Sequence, residues 1–347
     1  MIRQVRVGNV LLGGGNIAVQ SMTTTKTSDV EESVAQILSL RDAGCDIVRV
    51  AVADEADARA LREICGRVDV PVVADVHFSA KLAVLAVENG ADKLRINPGN
   101  IGGEEEIALV ADCVKAHHVP VRVGANTGSI EKKHLEKYGR SAEALVLSAL
   151  DNVAVLEKHG VEDIVVSVKA SDVPLTVEAY TLLRKRCDYP LHLGVTEAGT
   201  QHMGIVKSSI GIGSLLLAGI GETIRVSLSA DPVEEVYAAH DILRACGLEK
   251  DYVDVVACPT CGRCRYDCMG LASRVEVRVR TIKKKLKVAV MGCVVNGPGE
   301  AKGCDLGIAG GEEYCIIMQK GRENTRVAAA DAEREFFARL ESLIDEE

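Results

Sequence analysis

Residues 104–125 read EEEIALVADCVKAHHVPVRVGA, and two kinds of order stand side by side in them. Over Glu104–His117 the apolar residues Ile107, Val110, Ala111 and Val114 recur at helical spacing. The run Val121–Ala125 that follows is short and β-rich. The same pairing of strand and helix recurs from residue 17 to about residue 246. The strand candidates are Ile17–Met22, Ile47–Val52, Val72–Asp75, Lys93–Ile96, Val121–Ala125, Ile164–Lys169, Leu191–Val195 and Thr223–Ser227. Amphipathic stretches such as Val30–Ala43 and Ala142–His159 lie between them. Asp29 before Val30, Glu31 and Glu32 reads as an N-cap with an acidic first turn, and Gly44, Gly90 and Gly160 stand where C-terminal caps belong. Eight strand–helix units predict an α/β fold, a (β/α)8 TIM-type barrel. A doubly wound open sheet usually has fewer units and a Gly-rich first turn. The triplet Gly13, Gly14, Gly15 precedes the first strand, so it reads as a hairpin or turn and not as a dinucleotide site.

After about residue 248 the chain changes character. Cysteine clusters appear, strands such as Val288–Met291 alternate with Gly-rich turns, and helical signal returns only at Val327–Leu343. This predicts a smaller α/β domain built around a metal site. The expected division is residues 1–247 for the barrel and 248–347 for the second domain.

The 347 residues suffice for two domains, and 47% hydrophobic with 26% charged is an ordinary globular balance. Aromatics are only 3%, with no Trp, so the core must be aliphatic. A net charge of −9 argues against general nucleic-acid binding, and it makes clustered arginines conspicuous. No apolar run is long enough to span a membrane, and the opening residues lack the apolar core of a signal peptide. The expected location is therefore the cytoplasm, where the 12 cysteines are not disulfides. Cys45, Cys65, Cys113, Cys187 and Cys246 read as small buried hydrophobes.

In a barrel, function belongs to the C-terminal ends of the strands. Those ends carry Arg49, then Asp75 and His77, Arg95 and Asn97, Arg122 and Asn126, Lys169, His192 and Glu197, with Lys207, Ser208 and Ser209 next and Arg225 in the eighth strand. Arg49, Arg95, Arg122 and Lys169 come from four different strands, and only a closed barrel brings them together. Alternation puts Arg95 with Asn97, and Arg122 with Asn126, on one face. Taken singly, each arginine reads equally well as half of a rim ion pair. Taken together, they repel one another unless an anion joins them, and guanidinium forks suit phosphate oxygens. The predicted occupant is a phosphorylated or diphosphate molecule. Glu197, a carboxylate among cations, is a candidate proton donor or substrate orienter.

Cys258, Cys261, Cys264 and Cys268 have the spacing C-x2-C-x2-C-x3-C of bacterial ferredoxins. A structural zinc, a closed ferredoxin-type cluster, or a catalytic cluster on Cys258, Cys261 and Cys293 with an exchangeable fourth ligand would each use part of this region. Met269 stands where the ferredoxin run has proline, and that run leaves the segment Gly292–Glu300 without a role. There Gly297, Pro298 and Gly299 form a tight turn expected to present Glu300 near Cys293. A carboxylate is a harder and more exchangeable ligand for iron than a thiolate.

Longer motifs then carry a family resemblance. They are Gln20–Met22, Val73–Phe78 (VADVHF), Arg95–Gly102 (RINPGNIG), Ser167–Asp172 (SVKASD), Leu191–Gly199 (LHLGVTEAG), Cys258–Arg263 (CPTCGR) and Gly292–Glu300 (GCVVNGPGE). With them the chain resembles, over nearly its whole length, the bacterial 4-hydroxy-3-methylbut-2-enyl diphosphate synthase family of the methylerythritol phosphate route to isoprenoids. The resemblance implies one 4Fe-4S cluster per subunit held by Cys258, Cys261, Cys293 and Glu300, in a reductase-like second domain. It implies a homodimer in which one subunit's cluster domain closes over the other's barrel. It also implies reductive ring opening and dehydration of 2-C-methyl-D-erythritol 2,4-cyclodiphosphate, with electrons from flavodoxin or ferredoxin. By this matching Arg49, Arg95, Asn97, Arg122, Asn126, Lys169 and Ser208 contact substrate, and Glu197 and Glu300 are catalytic. Cys264 and Cys268 depart from the family, which usually has other residues there. They are expected to be harmless surface thiols, with Cys304 a further spare one.

Overall fold

β-branched runs form eight parallel strands between residues 18 and 224 in a computed structural model that describes residues 2–346. A hairpin, β1 (Val5–Val7) and β2 (Val10–Leu12), precedes them. The barrel then runs β3 (Ala18–Met22), α1 (Val30–Asp42), β4 (Ile47–Val52), α2 (Glu55–Arg67), β5 (Val72–Val76), α3 (Ala80–Glu88) and β6 (Lys93–Arg95). After a single turn, α4 (Pro98–Ile101), come α5 (Glu104–His117), β7 (Val121–Asn126), α6 (Lys132–Tyr138), α7 (Ala142–Lys158) and β8 (Ile164–Lys169). It ends with α8 (Val173–Arg184), β9 (His192–Leu193), α9 (Gln201–Leu217), β10 (Thr223–Ile224) and α10 (Pro232–Ala245). The strand order is β8-β7-β6-β5-β4-β3-β10-β9, and a parallel bridge from Val166 to Leu191 brings the ring back to β8. The TIM barrel read from the repeat is therefore present.

β3 and β6 are each one residue shorter than expected, and β9 and β10 are markedly shorter. Beyond Leu193 the ladder stops at Gly194, where a Cβ would stand 2.8 Å from the Arg225 carbonyl oxygen and 2.7 Å from Lys169 Nζ. The chain is pinched there by groups that the site places close by. The caps follow expectation. Asp29 accepts from the Glu32 N–H at 3.3 Å, and Gly44, Gly90 and Gly160 take positive φ directly after Ala43, Asn89 and His159.

The large aliphatic core lies between the outer faces of the strands and the helices, from Val48, Val50 and Val52 on β4 to Ile37 and Leu40 on α1. A separate cluster closes the N-terminal end of the barrel. Val5, Val7 and Leu12 of the hairpin pack on Ala18, Ile47, Val73 and Val165. Gly13–Gly15 is the turn that leaves this plug, with a Cβ at Gly13 only 2.4 Å from the Arg3 carbonyl oxygen. Of the lone cysteines, Cys45 is buried, while Cys65, Cys113, Cys187 and Cys246 are half-buried against the core.

Close strand approach is also tightest where a glycine allows it. Gly124 on β7 pairs with Ser167 on β8, and a Cβ there would lie 2.1 Å from Ser167 Oγ and 2.3 Å from its carbonyl oxygen. Gly124→Ala must push two strands apart. We expect a loss of about 1–3 kcal/mol, read as a lower urea midpoint at unchanged slope.

The chain divides into two compact units, Met1–Leu248 and Glu249–Glu347. In the second, β11 (Val253–Ala257) precedes α11 (Cys268–Val279), β12 (Leu286–Met291), the single turn α12 (Gly297–Glu300) and β13 (Leu306–Ala309). Then come β14 (Tyr314–Gln319), β15 (Thr325–Ala328) and α13 (Ala329–Asp345). The sheet runs β11 to β15 in order, parallel up to β13 and antiparallel after it. Val288 and Val290 point to the core shared with Leu271 and Val275 of α11 and Phe336 and Leu340 of α13. Ala289 and Met291 point to a smaller cluster with Ala301, Ala309 and Cys304.

Here the sequence reading needs correction. Helix α11 lies ahead of Val327–Leu343, where helical signal is expected to return, and its Val275, Val277 and Val279 alternate with charged residues at the period of a strand. Packing overrides that period. Leu271, Val275 and Val279 are buried at helical spacing, Val277 is 68% exposed, and Arg274 and Arg278 reach Glu333 and Glu341 on α13. Val327 belongs to β15 and not to the last helix.

Candidate functional site

The residues of β3 to β10 that alternate away from the helices line the barrel interior. The aliphatic half of each strand packs outward, as Val72, Ala74 and Val76 do. The other half reads Gln20, Arg49, Asp75, Lys93 and Arg95, Arg122, Ser167 and Lys169, His192, Thr223 and Arg225. Parallel register sets Arg95 directly beside Arg122, and Asn126 beside Lys169. Like charges at such positions repel.

Six basic side chains thus share this interior with one carboxylate, Asp75, while a second, Glu235 of α10, reaches one of them. Asp75 receives Arg95 at 2.9 Å and Arg49 at 3.6 Å, and His77 lies 3.4 Å from it. Arg225 is held by Glu235 at 3.2 Å. Lys93 is fully buried, and its Nζ donates to Gln20 Oε1 at 3.3 Å. Arg122 is 2% exposed, yet among the described residues its Nε and one Nη have no hydrogen-bond partner, and neither have His192 Nε2, Gln20 Nε2 or Ser208 Oγ. Buried donors of native proteins are almost always satisfied. A buried guanidinium with two unsatisfied N–H groups, set among further cations, is a place prepared for an anion.

The electrostatics agree. Burial opposes ionisation of Asp75, but the His77 hydrogen bond and Arg49, Arg95 and Arg122 outweigh it and hold the carboxyl well below its usual range. Burial and the neighbouring cations pull Arg49 down to about 10. Burial first, and then the surrounding cations, drive Lys93, Lys169 and His192 well below their ordinary values. Arg122 is pressed the same way, with Asp75 a partial offset.

The structure brings Arg49, Arg95, Arg122 and Lys169 together, as the spacing required. Asn97 is half-buried just beyond β6 and accepts the Gly99 N–H at 3.1 Å, and Asn126 ends β7. Ser208 is placed differently. It lies on the buried face of α9 with Gly204 and Gly211, which press on Leu228 and Val195. Glu197 is exposed in the loop after β9, makes no hydrogen bond or ion pair among the described residues, and has φ +51°. Among the described residues four non-glycine residues have positive φ, and three of them (Phe78, Glu197 and Thr260) sit in candidate-site loops, where such strain tends to collect. Gln20, Lys93 and Thr223 escaped the sequence reading. The signal was there in Lys93, which shares the parity of Arg95 and Asn97 along one strand.

In the second unit the cysteines of the run differ in burial. Cys258 follows β11, and its N–H bonds the Val290 carbonyl at 2.9 Å, so it stands beside the end of β12. Cys293 lies two residues past β12, and Glu300 closes α12. Cys261 and Glu300 are exposed, and Cys258 and Cys293 half-buried. Thr260, between the first two cysteines, has φ +64°. Backbone N–H groups of Asn296, Val295 and Gly297, with Arg263 nearby, lower the Cys293 thiol and favour its thiolate. Gly297 lets α12 lie close, since a Cβ would stand 2.7 Å from that of Ala309.

Cys268 is not a surface residue, contrary to expectation, and Cys264 is half-buried. Cys268 is 1% exposed in the core and points to the Val290 carbonyl at 3.7 Å, while Cys264 donates to the Tyr266 carbonyl at 3.2 Å. Cys304 is half-buried in the small cluster. Among the described residues, the ligand atoms of Glu131, His134 and Asp151 do gather within 4.8 Å of one another, but Lys133 already bridges both carboxylates at 3.1 and 2.6 Å. No helix among the described residues is long and apolar enough to cross a membrane.

Comparison with known proteins follows the same two-part division. The family description GcpE TIM-barrel domain matches residues 2–240, and GcpE protein C-terminal domain matches residues 254–342. A Caldanaerobacter subterraneus subsp. tengcongensis protein named 4-hydroxy-3-methylbut-2-en-1-yl diphosphate synthase (flavodoxin) is 54% identical, covering 100% of this chain and 98% of its own. One of the same name from Desulfotalea psychrophila is 51% identical over 99% of this chain and 96% of its own. A dihydropteroate synthase of Yersinia pestis superposes with a TM-score of 0.51 at 13% identity, over 71% of this chain and 98% of that one, a likeness of barrel fold alone. With both domains matched in order and relatives about half identical from end to end, the chain belongs to the GcpE family.

Proposed function

We propose that this protein is a 4-hydroxy-3-methylbut-2-enyl diphosphate synthase that reductively opens and dehydrates 2-C-methyl-D-erythritol 2,4-cyclodiphosphate. The observation that carries this reading is the barrel interior, where the buried basic groups outnumber the carboxylates and the Arg122 guanidinium leaves two donors without a partner among the described residues. A cyclic diphosphate supplies the missing charge. Arg49, Arg95, Arg122 and Lys169 clamp it, and Asp75 fixes the forks of the first two. Asn97 and Asn126 orient the ring hydroxyls from the same faces. Glu197, free of other partners in its mouth loop, moves the proton that accompanies loss of water.

A 4Fe-4S cluster, one per subunit, would be held by Cys258, Cys261, Cys293 and Glu300. The donors suit it: three thiols at or near the surface, one already favoured as thiolate, beside an exposed carboxylate. When bound, the cluster supplies single-electron reduction and a Lewis-acidic iron. Glu300 is the ligand that can yield its place. The names of the relatives point to flavodoxin as electron donor. The reading includes a homodimer with each site shared between subunits, and a location in the cytoplasm.

The test is anaerobic turnover of the cyclodiphosphate by iron-loaded protein with reduced flavodoxin, with product followed by NMR. We expect conversion, and we expect Glu197→Gln to lower kcat by roughly 10²–10⁴ with little change in KM. Full iron loading without turnover overturns the assignment.

A further inference from the structure

Beneath the mouth cations lies a second layer that the reaction outlined above does not use. Lys93, from β6, is 0% exposed, and its one hydrogen bond goes to a neutral amide, Gln20 Oε1 at 3.3 Å. Among the described residues no carboxylate pairs with it. The charged groups acting on it are Arg122 from β7 and Arg49 from β4, and both repel its charge. His192, from β9, is also 0% exposed. Its Nδ1 lies 3.4 Å from Thr223 Oγ1 on β10, and its Nε2 has no partner. The groups that act on it are Lys169 from β8, Arg122, Lys93 and Arg49. Gln20 Nε2, next to Lys93, is likewise unpartnered.

This arrangement is poor for stability. A buried ammonium without a counter-ion costs several kcal/mol, whereas a methionine of similar volume would cost little. An imidazole among four cations is no better placed. The layer has a purpose only if something negative arrives above it.

We propose that Lys93 and His192 form a proton-holding floor under the anion site, taking up protons from solvent when a diphosphate enters the barrel. The inference rests on the reading of the barrel as a diphosphate site and adds the residues that tune it. In the empty barrel each further positive charge is opposed by the others. A bound diphosphate reverses the sign of the local field, so the same groups become charged and hold the anion from below. The proton goes to Lys93 Nζ and to His192 Nε2, while the His192 Nδ1–H donates to Thr223 Oγ1. Both are positioning residues, because they shape the field around the ligand and not its covalent chemistry.

The sign of the pH dependence follows. Proton uptake on binding means that affinity falls as pH rises, by a factor of ten per pH unit for each proton taken up. Over the same range the ligand-free fold behaves in the opposite sense. The folded chain binds fewer protons at Lys93 than the unfolded chain, so unfolding becomes harder as pH rises toward the ordinary lysine range.

The experiment is calorimetric titration of inorganic pyrophosphate into the full-length protein, at one pH in two buffers of different ionisation enthalpy. The expected result is uptake of about one to two protons per site. Lys93→Met should reduce the uptake by about one and flatten the pH dependence of Kd, and His192→Gln should account for the rest. Pyrophosphate binding by the wild-type protein without proton uptake overturns the floor and leaves the diphosphate site intact. No binding at all overturns both. Undiminished uptake in the two variants assigns the proton elsewhere and overturns the role of Lys93 and His192. The wild-type titration decides the coupling even if a variant does not fold.

Discussion

Arg122→Met is expected to lower kcat/KM for the cyclic diphosphate by roughly two to four orders of magnitude and, in the same protein, to raise the stability of the ligand-free fold. The two effects have one cause. Arg122 is 2% exposed, lies beside Arg95 in register, and leaves its Nε and one Nη unsatisfied. Asp75 is already shared between Arg49 and Arg95. In the empty barrel the guanidinium is a buried charge with little to balance it, and a thioether of similar length removes that penalty. Replacing buried ionic groups with well-packed apolar ones gains about 1–4 kcal/mol in comparable cases. With ligand bound, the same guanidinium supplies a desolvated fork to phosphate, and truncating one side of such a pair costs about 2–5 kcal/mol. Urea unfolding of the ligand-free variant and anaerobic kinetics of the loaded enzyme measure the two halves. A variant destabilised like a core deletion would mean that the guanidinium is structural, and the anion-site reading would fail with it.

Cys293→Ala is expected to lose iron and sulfide, whereas Cys264 and Cys268 changed together to Ala should keep both in full and lose about 1–3 kcal/mol of stability. The contrast comes from what each thiol touches. Cys293 sits at the mouth of a turn whose N–H groups stabilise its thiolate. Cys264 and Cys268 are engaged with backbone carbonyls in and against the core, and burial raises the Cys268 thiol. A raised thiol is a poor ligand, since the metal must first displace its proton. Alanine removes sulfur packing without burying a hydroxyl, which serine would do. Iron and sulfide analysis of anaerobically purified protein, with denaturant unfolding, separates the outcomes. Loss of iron in the double variant would return the ligand set to the ferredoxin-type run.

The helical spacing of Ile107, Val110, Ala111 and Val114 foretold α5 to the residue, and the eight strand runs foretold the ring. Those features are local, set by side chains within one turn or one strand. The reading failed where distant packing decides. Val275, Val277 and Val279 have the period of a strand, but two of the three meet a sheet and a helix that the local run does not contain. Lys93 looked like the first residue of a strand, and its importance arises from Gln20, 73 positions away, and from Arg49 and Arg122.

By itself, the order of residues determined the element sequence, the strand-end cations, the cysteine spacing and the motifs shared with a family. All of these depend on chemistry carried by near neighbours in the chain. Only the tertiary structure decided which cations share a carboxylate, which go without, and which cysteine of the run is buried. Barrel closure sets Arg95 against Arg122 and leaves Lys93 beneath them, and the packing of α11 on its sheet buries Cys268. Charge balance and burial are sums over residues far apart in sequence, and they exist only once the chain has closed around them.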